Sequence, residues 1–213
     1  MSFLHIHNGD VMAEHARQAE IEGEHLAFRE SLVTGAPDGD RARTLAEAYG
    51  QEVDRTREEL ARQEQALDER SREVVLWFEQ DVYCLIHLLY LLQRVRGSNV
   101  SYVWHPAPLA QLTHEELQRL FATRTAVTPR LREIASEAWR DYVRGDVSAW
   151  TQRDAAELPF LREGLTLLGT IDEHLRQFLS EKDFHSLFAR VDRRLGLGDT
   201  EVLRRVRNLG WQG

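Results

Sequence analysis

The fold is decided between residues 73 and 97, which have the sequence EVVLWFEQDVYCLIHLLYLLQRVRG. The first part is a continuous apolar run between two glutamates, which is typical of a strand buried on both faces of a sheet. Asp81 then precedes an apolar stretch that predicts a helix over residues 82–96, ended by Gly97. A buried strand that leads directly into a buried helix indicates a sheet of parallel strands.

Further segments with strand patterns surround this unit. They lie at residues 3–8, 25–29 and 99–104. Helical patterns separate them, at residues 11–20 and at 41–72 with a break at Gly50. The alternation predicts an α/β fold, a small doubly wound parallel sheet of about four strands with right-handed crossovers. We assign this domain to residues 1–108.

The strand patterns stop after Pro106. Thr113 begins a capping box, and Thr128 with Pro129 begins a second amphipathic helix. Helical patterns continue near residues 148–156, 159–179, 181–195 and 199–209. We therefore expect residues 109–213 to form an all-helical domain.

Composition limits the class of protein. The chain has 213 residues, 42% of them hydrophobic, and a net charge of -8, which indicates a globular protein with a core of its own. No run approaches the roughly 18 apolar residues of a membrane span, and no secretory signal is recognisable. With Cys84 as the single cysteine, a disulfide framework is excluded and a cytoplasmic location is expected.

Polar residues at the carboxyl ends of the strands are the candidate site, because ligands of open parallel sheets bind there. We expect Asp10, Glu79 and Asp81 to hold a cation or to act as a catalytic base. Three carboxylates beside an asparagine are oxygen ligands of the kind that Mg²⁺ takes. The alternative is that Asp10 and Asp81 are plain helix N-caps. The expected ligand-binding residues are His5, His7, Asn8, Gly9, Arg29, Glu30 and His105.

Three further side chains allow two interpretations each. His5 and His7 face the same side of a strand and suit a transition metal only if His105 or Asp10 supplies a third ligand; a structural hydrogen bond is the alternative. Cys84 lies near a helix N-terminus, where a thiol can become a nucleophile, but burial as a small apolar residue is favoured.

Two motifs resemble a known family. Residues 5–10 have the sequence His-Ile-His-Asn-Gly-Asp, and residues 76–81 have the sequence Leu-Trp-Phe-Glu-Gln-Asp. Together with residues 28–36 they resemble the bacterial family catalogued as domain of unknown function 1835, over about residues 3–105. The resemblance implies that the site lies at these motifs, and it implies no particular activity.

These observations favour a site for a small polar or phosphorylated ligand, of the nucleotide kind, with a metal ion as an aid. The alternative is a non-enzymatic regulatory or interaction protein that uses its helical half. Residues 190–207 contain six arginines in a helix-turn-helix outline, which would suit nucleic acid. Nucleic acid is the less favoured partner, since residues 1–112 have 11 basic residues against 19 acidic ones.

Overall fold

The computed structural model describes residues 2–144, together with Trp150 and Leu158. The described residues form five strands and six α-helices. The strands are β1 (Phe3–His7), β2 (Glu24–Ala27), β3 (Glu73–Glu79), β4 (Val100–His105) and β5 (Thr125–Ala126). The helices are α1 (Asp10–Gln18), α2 (Arg41–Tyr49), α3 (Val53–Ala66), α4 (Val82–Arg94), α5 (His114–Ala122) and α6 (Pro129–Arg144).

The strands form one sheet in the order β2-β1-β3-β4-β5. The first four are parallel to one another, and in register β1 pairs with β3 from Phe3 opposite Glu73 to His7 opposite Trp77. The predicted parallel α/β sheet is confirmed, and so is the predicted adjacency of its first and third strands. The predicted break at Gly50 is also present, because that residue ends α2 in the left-handed conformation with φ 63°.

One expectation about the second half was wrong. Strand patterns were expected to stop after Pro106, yet β5 pairs antiparallel with β4. β5 has two residues, too few to show any periodicity. Its position depends on tertiary contacts instead: Arg124 binds Glu73 at 2.6 Å, and the amide of Val127 donates to the carbonyl of Val100.

The chain divides into two compact units, residues 1–30 with 61–169 and residues 31–60 with 170–213. The boundary near residue 60 falls within α3. The second of the two domains predicted on either side of residue 108 consists largely of residues 159–213, which lie outside the described residues. The same holds for nearly all residues of the helices predicted from 148 onward and for the arginines of 190–207.

In the first unit the sheet is covered on both faces. Val75, Trp77 and Val103 pack with apolar residues of α1 and α5 on one face. Since side chains alternate along a strand, Val74, Leu76 and Phe78 face the other side, where α4 packs against β3. α6 packs on α4 through the buried residues Leu131, Ile134, Ala135 and Ala138.

The described part of the second unit is a loop followed by α2 and the first part of α3. Arg41 joins the loop to the helix by donating hydrogen bonds to the carbonyls of Ser31, Thr34 and Ala36. Asp40 caps α2 by accepting from the amide of Arg43. None of the helices among residues 2–144 combines the length and the apolarity needed to cross a bilayer.

Leu88 of α4 tests the assignment of the core. Its side chain is fully buried, so we expect Leu88→Ala to lower the free energy of unfolding by about 2–5 kcal/mol. Val11→Ala is the control, because Val11 is 74% exposed and its truncation should change stability by less than about 0.5 kcal/mol. Urea denaturation measures both. Equal effects of the two substitutions would show that α4 is peripheral.

Candidate functional site

The strand order reverses between β1 and β3. After β1 the chain moves to β2 on one side, and after β3 it moves to β4 on the other side. The connections between the described strands leave a gap at the carboxyl ends of β1 and β3, and this is where open α/β sheets bind ligands. The loops 8–10 and 79–81 both begin at this gap. Asn8 joins them, because its Nδ2 donates to the Sγ of Cys84 at 2.9 Å.

Glu79, Asp81 and Cys84 come together at the start of α4. One potential ligand atom of each lies within 4.8 Å of the others. Oε2 of Glu79 accepts from the amide of Leu109 at 2.6 Å, and Oδ1 of Asp81 caps α4 by accepting from the amide of Cys84 at 2.7 Å. The thiol of Cys84 also forms a side-chain hydrogen bond with Asp81. The cap interpretation of Asp81 is therefore confirmed, and it accounts for one of that residue's two oxygens.

The charges in this group oppose one another. Burial raises the pKa of Glu79, and the neighbouring Asp81 adds to the rise against the hydrogen bond from Leu109. Burial likewise raises the pKa of the Cys84 thiol far above its usual range, again with Asp81 as a contributor. Burial is thus the main cause of both rises, and the negative charge of Asp81 adds to each.

Asp10 is bound by Arg29. Nε of Arg29 donates to Oδ2 at 2.9 Å and Nη2 donates to Oδ1 at 2.6 Å, which is a bidentate pair. These hydrogen bonds hold the pKa of Asp10 below its usual range. The prediction that at least one carboxylate would pair with Arg29 or another cation, or have a raised pKa, is met by this pair, although Asp10 does not belong to the group of Glu79, Asp81 and Cys84.

The expectation that Asp10 caps α1 was wrong. The N-cap is Gly9, and no side chain caps the helix. Gly9 has φ 99°, a backbone conformation that side chains disfavour, so the turn after β1 begins the helix one residue earlier than the sequence indicated. The carboxylate of Asp10 is then left to bind Arg29, and the first amides of α1 receive no side-chain acceptor.

Two other predicted residues lie at the same edge of the sheet. His105 is the register partner of Glu79, and its Nδ1 lies 2.8 Å from the carbonyl of Ala107. The electrostatic interaction of Glu79 with His105 slightly lowers the pKa of the Glu79 carboxyl. Glu30 follows Arg29 and is buried.

His5 and His7 lie in the core, with both side chains fully buried. His25 of β2 stacks on them, with ring centroids 4.6 Å from His5 and 5.1 Å from His7. We call these three residues the histidine cluster. Nε2 of His5 donates to the carbonyl of Glu22, while Nδ1 accepts from Trp77 at 3.0 Å. The interpretation of these residues as hydrogen-bonded structural histidines agrees with this geometry.

The hydrogen bonds of the cluster determine its tautomers. A carbonyl oxygen can only accept, so Nε2 of His25 carries the proton that binds the carbonyl of Ile21. Nδ1 of His25 must then accept from Nε2 of His7 at 2.9 Å. All three rings are neutral with the proton on Nε2. Among the described residues Nδ1 of His7 has no hydrogen-bond partner.

The third ligands expected for a histidine metal pair are engaged elsewhere, Asp10 by Arg29 and His105 beside Ala107. Within residues 2–144 the one group of three potential metal ligands is Glu79, Asp81 and Cys84. Sequence reasoning missed Cys84 as a member of this group and His25 as a partner of His7. Both could be found only from contacts, since each depends on which strands are neighbours.

A shallow depression of about 350 Å³ lies away from this region, beside α4 and α6. Its lining consists of Gln93, Arg132, Glu133, Ser136, Glu137 and Arg140. None of the residues predicted to form the site takes part in it. We give greater weight to the gap between β1 and β3, because that is where the polar side chains converge.

Comparisons with protein-family models, curated proteins and solved structures return no match for this chain. Membership of the family catalogued as domain of unknown function 1835 therefore stays a prediction from the two motifs.

The thiol of Cys84 gives a direct test of the site geometry. Because its sulfur is buried and its pKa is raised, we expect a disulfide reagent such as Ellman's to leave the native protein unmodified at mildly alkaline pH. In urea the same reagent should modify one thiol per chain, since Cys84 is the only cysteine. Rapid and complete modification of the native protein would contradict the described environment of Cys84.

Proposed function

We propose that this protein binds a small polar or phosphorylated ligand, of the nucleotide kind, in the gap between β1 and β3, together with a divalent metal ion. The observation that carries this proposal is the convergence of Glu79, Asp81 and Cys84, whose potential ligand atoms lie within 4.8 Å of one another. Asn8 supports it by connecting the loop after β1 to Cys84.

The metal would be held by Glu79, Asp81 and Cys84. A thiolate in the set favours Zn²⁺, whereas two carboxylates also suit Mn²⁺ and Mg²⁺. Binding would remove the thiol proton of Cys84 and the proton of Glu79, because a ligand atom must be deprotonated to bind. The pKa values of both residues are raised first by burial and further by the charge of Asp81, and a bound cation would offset that negative charge.

The anionic part of the ligand would bind at the start of α1. The helix has no side-chain cap, so the amides of its first turn can donate to a phosphate or carboxylate. A side chain at Gly9 would meet no atom within 4 Å, which indicates open space beside this turn. Arg29 lies next to it, bound to Asp10, and its positive charge would attract a phosphate to this turn.

Turnover would need a group that exchanges a proton near neutral pH. Asp10 does not suit this role, because Arg29 keeps its carboxyl ionised, and Glu79 would suit it only in a form of the site in which it does not hold the metal. In this proposal Asp81 holds the start of α4 and one side of the metal, and Asp10 orients Arg29. The family resemblance of both loops is consistent with a shared site, and it adds no reaction.

A titration with Co²⁺ and Zn²⁺ tests the metal site. Co²⁺ bound to the Cys84 thiolate should produce a sulfur-to-metal absorption band, and Zn²⁺ should displace it. Glu79→Gln should weaken binding by at least about tenfold while the protein stays folded, since the glutamine can still accept from Leu109. Glu115→Gln removes the same charge from an exposed position of α5 and should bind as the wild type does.

A thermal-shift screen of nucleotides, with and without the metal, tests the ligand. A native-state ligand at a hundredfold excess over its Kd should raise Tm by about 5 to 10 °C. Arg29→Ala should abolish this rise and leave Co²⁺ binding unchanged. In the metal titration, absence of a Co²⁺ band or equal binding by the Glu79→Gln variant would contradict the metal site. In the thermal-shift screen, absence of a Tm rise with any nucleotide would contradict the proposed ligand class.

A further inference from the structure

The histidine cluster joins the edge strand β2 to the rest of the sheet through its side chains. His25 belongs to β2, and its ring contacts both His5 and His7 of β1. Its two ring nitrogens bind His7 and the carbonyl of Ile21, which lies in the connection that leads into β2. β2 has four residues and pairs with β1 alone in the described sheet, so these ring contacts add to the backbone pairing and to the ion pair of Glu24 with Arg72.

Among the described residues, a further N–H formed on the cluster would find no hydrogen-bond acceptor. Nδ1 of His25 already accepts from His7, so a proton there would face the N–H of His7. If His7 gave up its Nε2 proton instead and took one on Nδ1, that N–H would have no partner among the described residues. Either arrangement leaves a buried donor unsatisfied, which costs free energy in the closed sheet.

The charged groups around the cluster also oppose a positive charge on it. Arg17 of α1 donates from Nη2 to the carbonyl of His25, and its charge disfavours protonation of both His7 and His25. Arg124, which follows α5, disfavours protonation of His5. Glu73 of β3 favours it, but Arg124 binds both oxygens of that carboxylate and neutralises its charge.

We propose that β2 is a pH-sensitive element: protonation of His25 releases the strand from β1, and with it Arg29 from Asp10. Arg29 follows β2 closely, and the preceding residue Phe28 donates its amide to the carbonyl of His7. The opening of β2 is inferred from the geometry of the histidine cluster. Weaker anion binding in acid would follow from this opening, and that consequence rests on the proposed function.

The direction of the pH dependence follows from the histidines. Burial lowers the pKa of His25 below 6.5 and that of His5 to about 4, so both take up protons more readily in the open form. The closed state is therefore fully favoured above the ordinary histidine pKa of about 6.5 and loses stability as the pH falls below it. His25 is half-buried whereas His5 and His7 are fully buried, so His25 responds first.

Hydrogen exchange followed by mass spectrometry measures the opening. After correction for intrinsic rates, the amides of 24–29 should exchange about tenfold or more faster at about pH 5 than at about pH 7.5. The amides of β3 are the internal reference and should change little. An unchanged ratio between β2 and β3 across this range would overturn the proposal, and the wild-type protein alone is enough to show it.

A matched pair of variants assigns the effect. His25→Gln keeps an amide that can donate to Ile21 but does not titrate, so it should clearly reduce the response, whereas His5 and His7 would still gain protons on opening. His114→Gln removes an exposed histidine of α5 and should respond as the wild type does. If the His25→Gln variant opened with the same pH dependence as the wild type, His25 would not be the responsible group.

The guanidinium signal of Arg29 in an NMR spectrum reports the second half of the proposal. Because the pKa of Asp10 lies below its usual range, that carboxylate is ionised at about pH 5. Loss of the Arg29–Asp10 pair at this pH would therefore come from movement of Arg29. Retention of the pair while β2 opens would overturn the link to the ligand site, and failure of the metal titration would leave both measurements unaffected.

Discussion

β1 and β3 lie side by side, yet the chain leaves them in opposite directions, toward β2 and toward β4. This divergence requires that their connecting helices begin on either side of a gap at the carboxyl ends of the two strands. Polar side chains that follow the two strands collect at this gap. Asn8, Glu79, Asp81 and Cys84 are neighbours for this reason, although more than 60 residues separate Asn8 from Glu79 in the chain.

Hydrogen bonds to buried polar groups then hold the loops of this edge in place. Leu109 donates to Glu79 and Asn8 donates to Cys84, so the loop after β1, the start of α4 and the turn after β4 are joined at one point. On the opposite face of β1 the neutral histidines do the same for β2. A buried polar group without a partner is costly, so both networks depend on every member keeping its protonation state.

Most of the sheet could be predicted from the sequence, and less of the site. β3 was expected at the residues where it is found, and β1, β2 and β4 differ from expectation by one or two residues at their ends. At the site Asp81 was interpreted correctly as a cap, whereas Asp10 was not, because Gly9 makes the turn and Arg29 takes the carboxylate. β5 was missed because two residues give no pattern.

The sequence by itself determined the positions of the long strands and helices, because hydrophobic periodicity and capping residues act over a few neighbouring positions. It also determined that polar residues follow β1 and β3. Only the tertiary structure decided which polar side chains contact one another: Cys84 meets Glu79, Arg29 meets Asp10, and His25 meets His7. Those contacts depend on strand order and register, which bring together residues that are distant in the chain and whose local patterns are independent of one another.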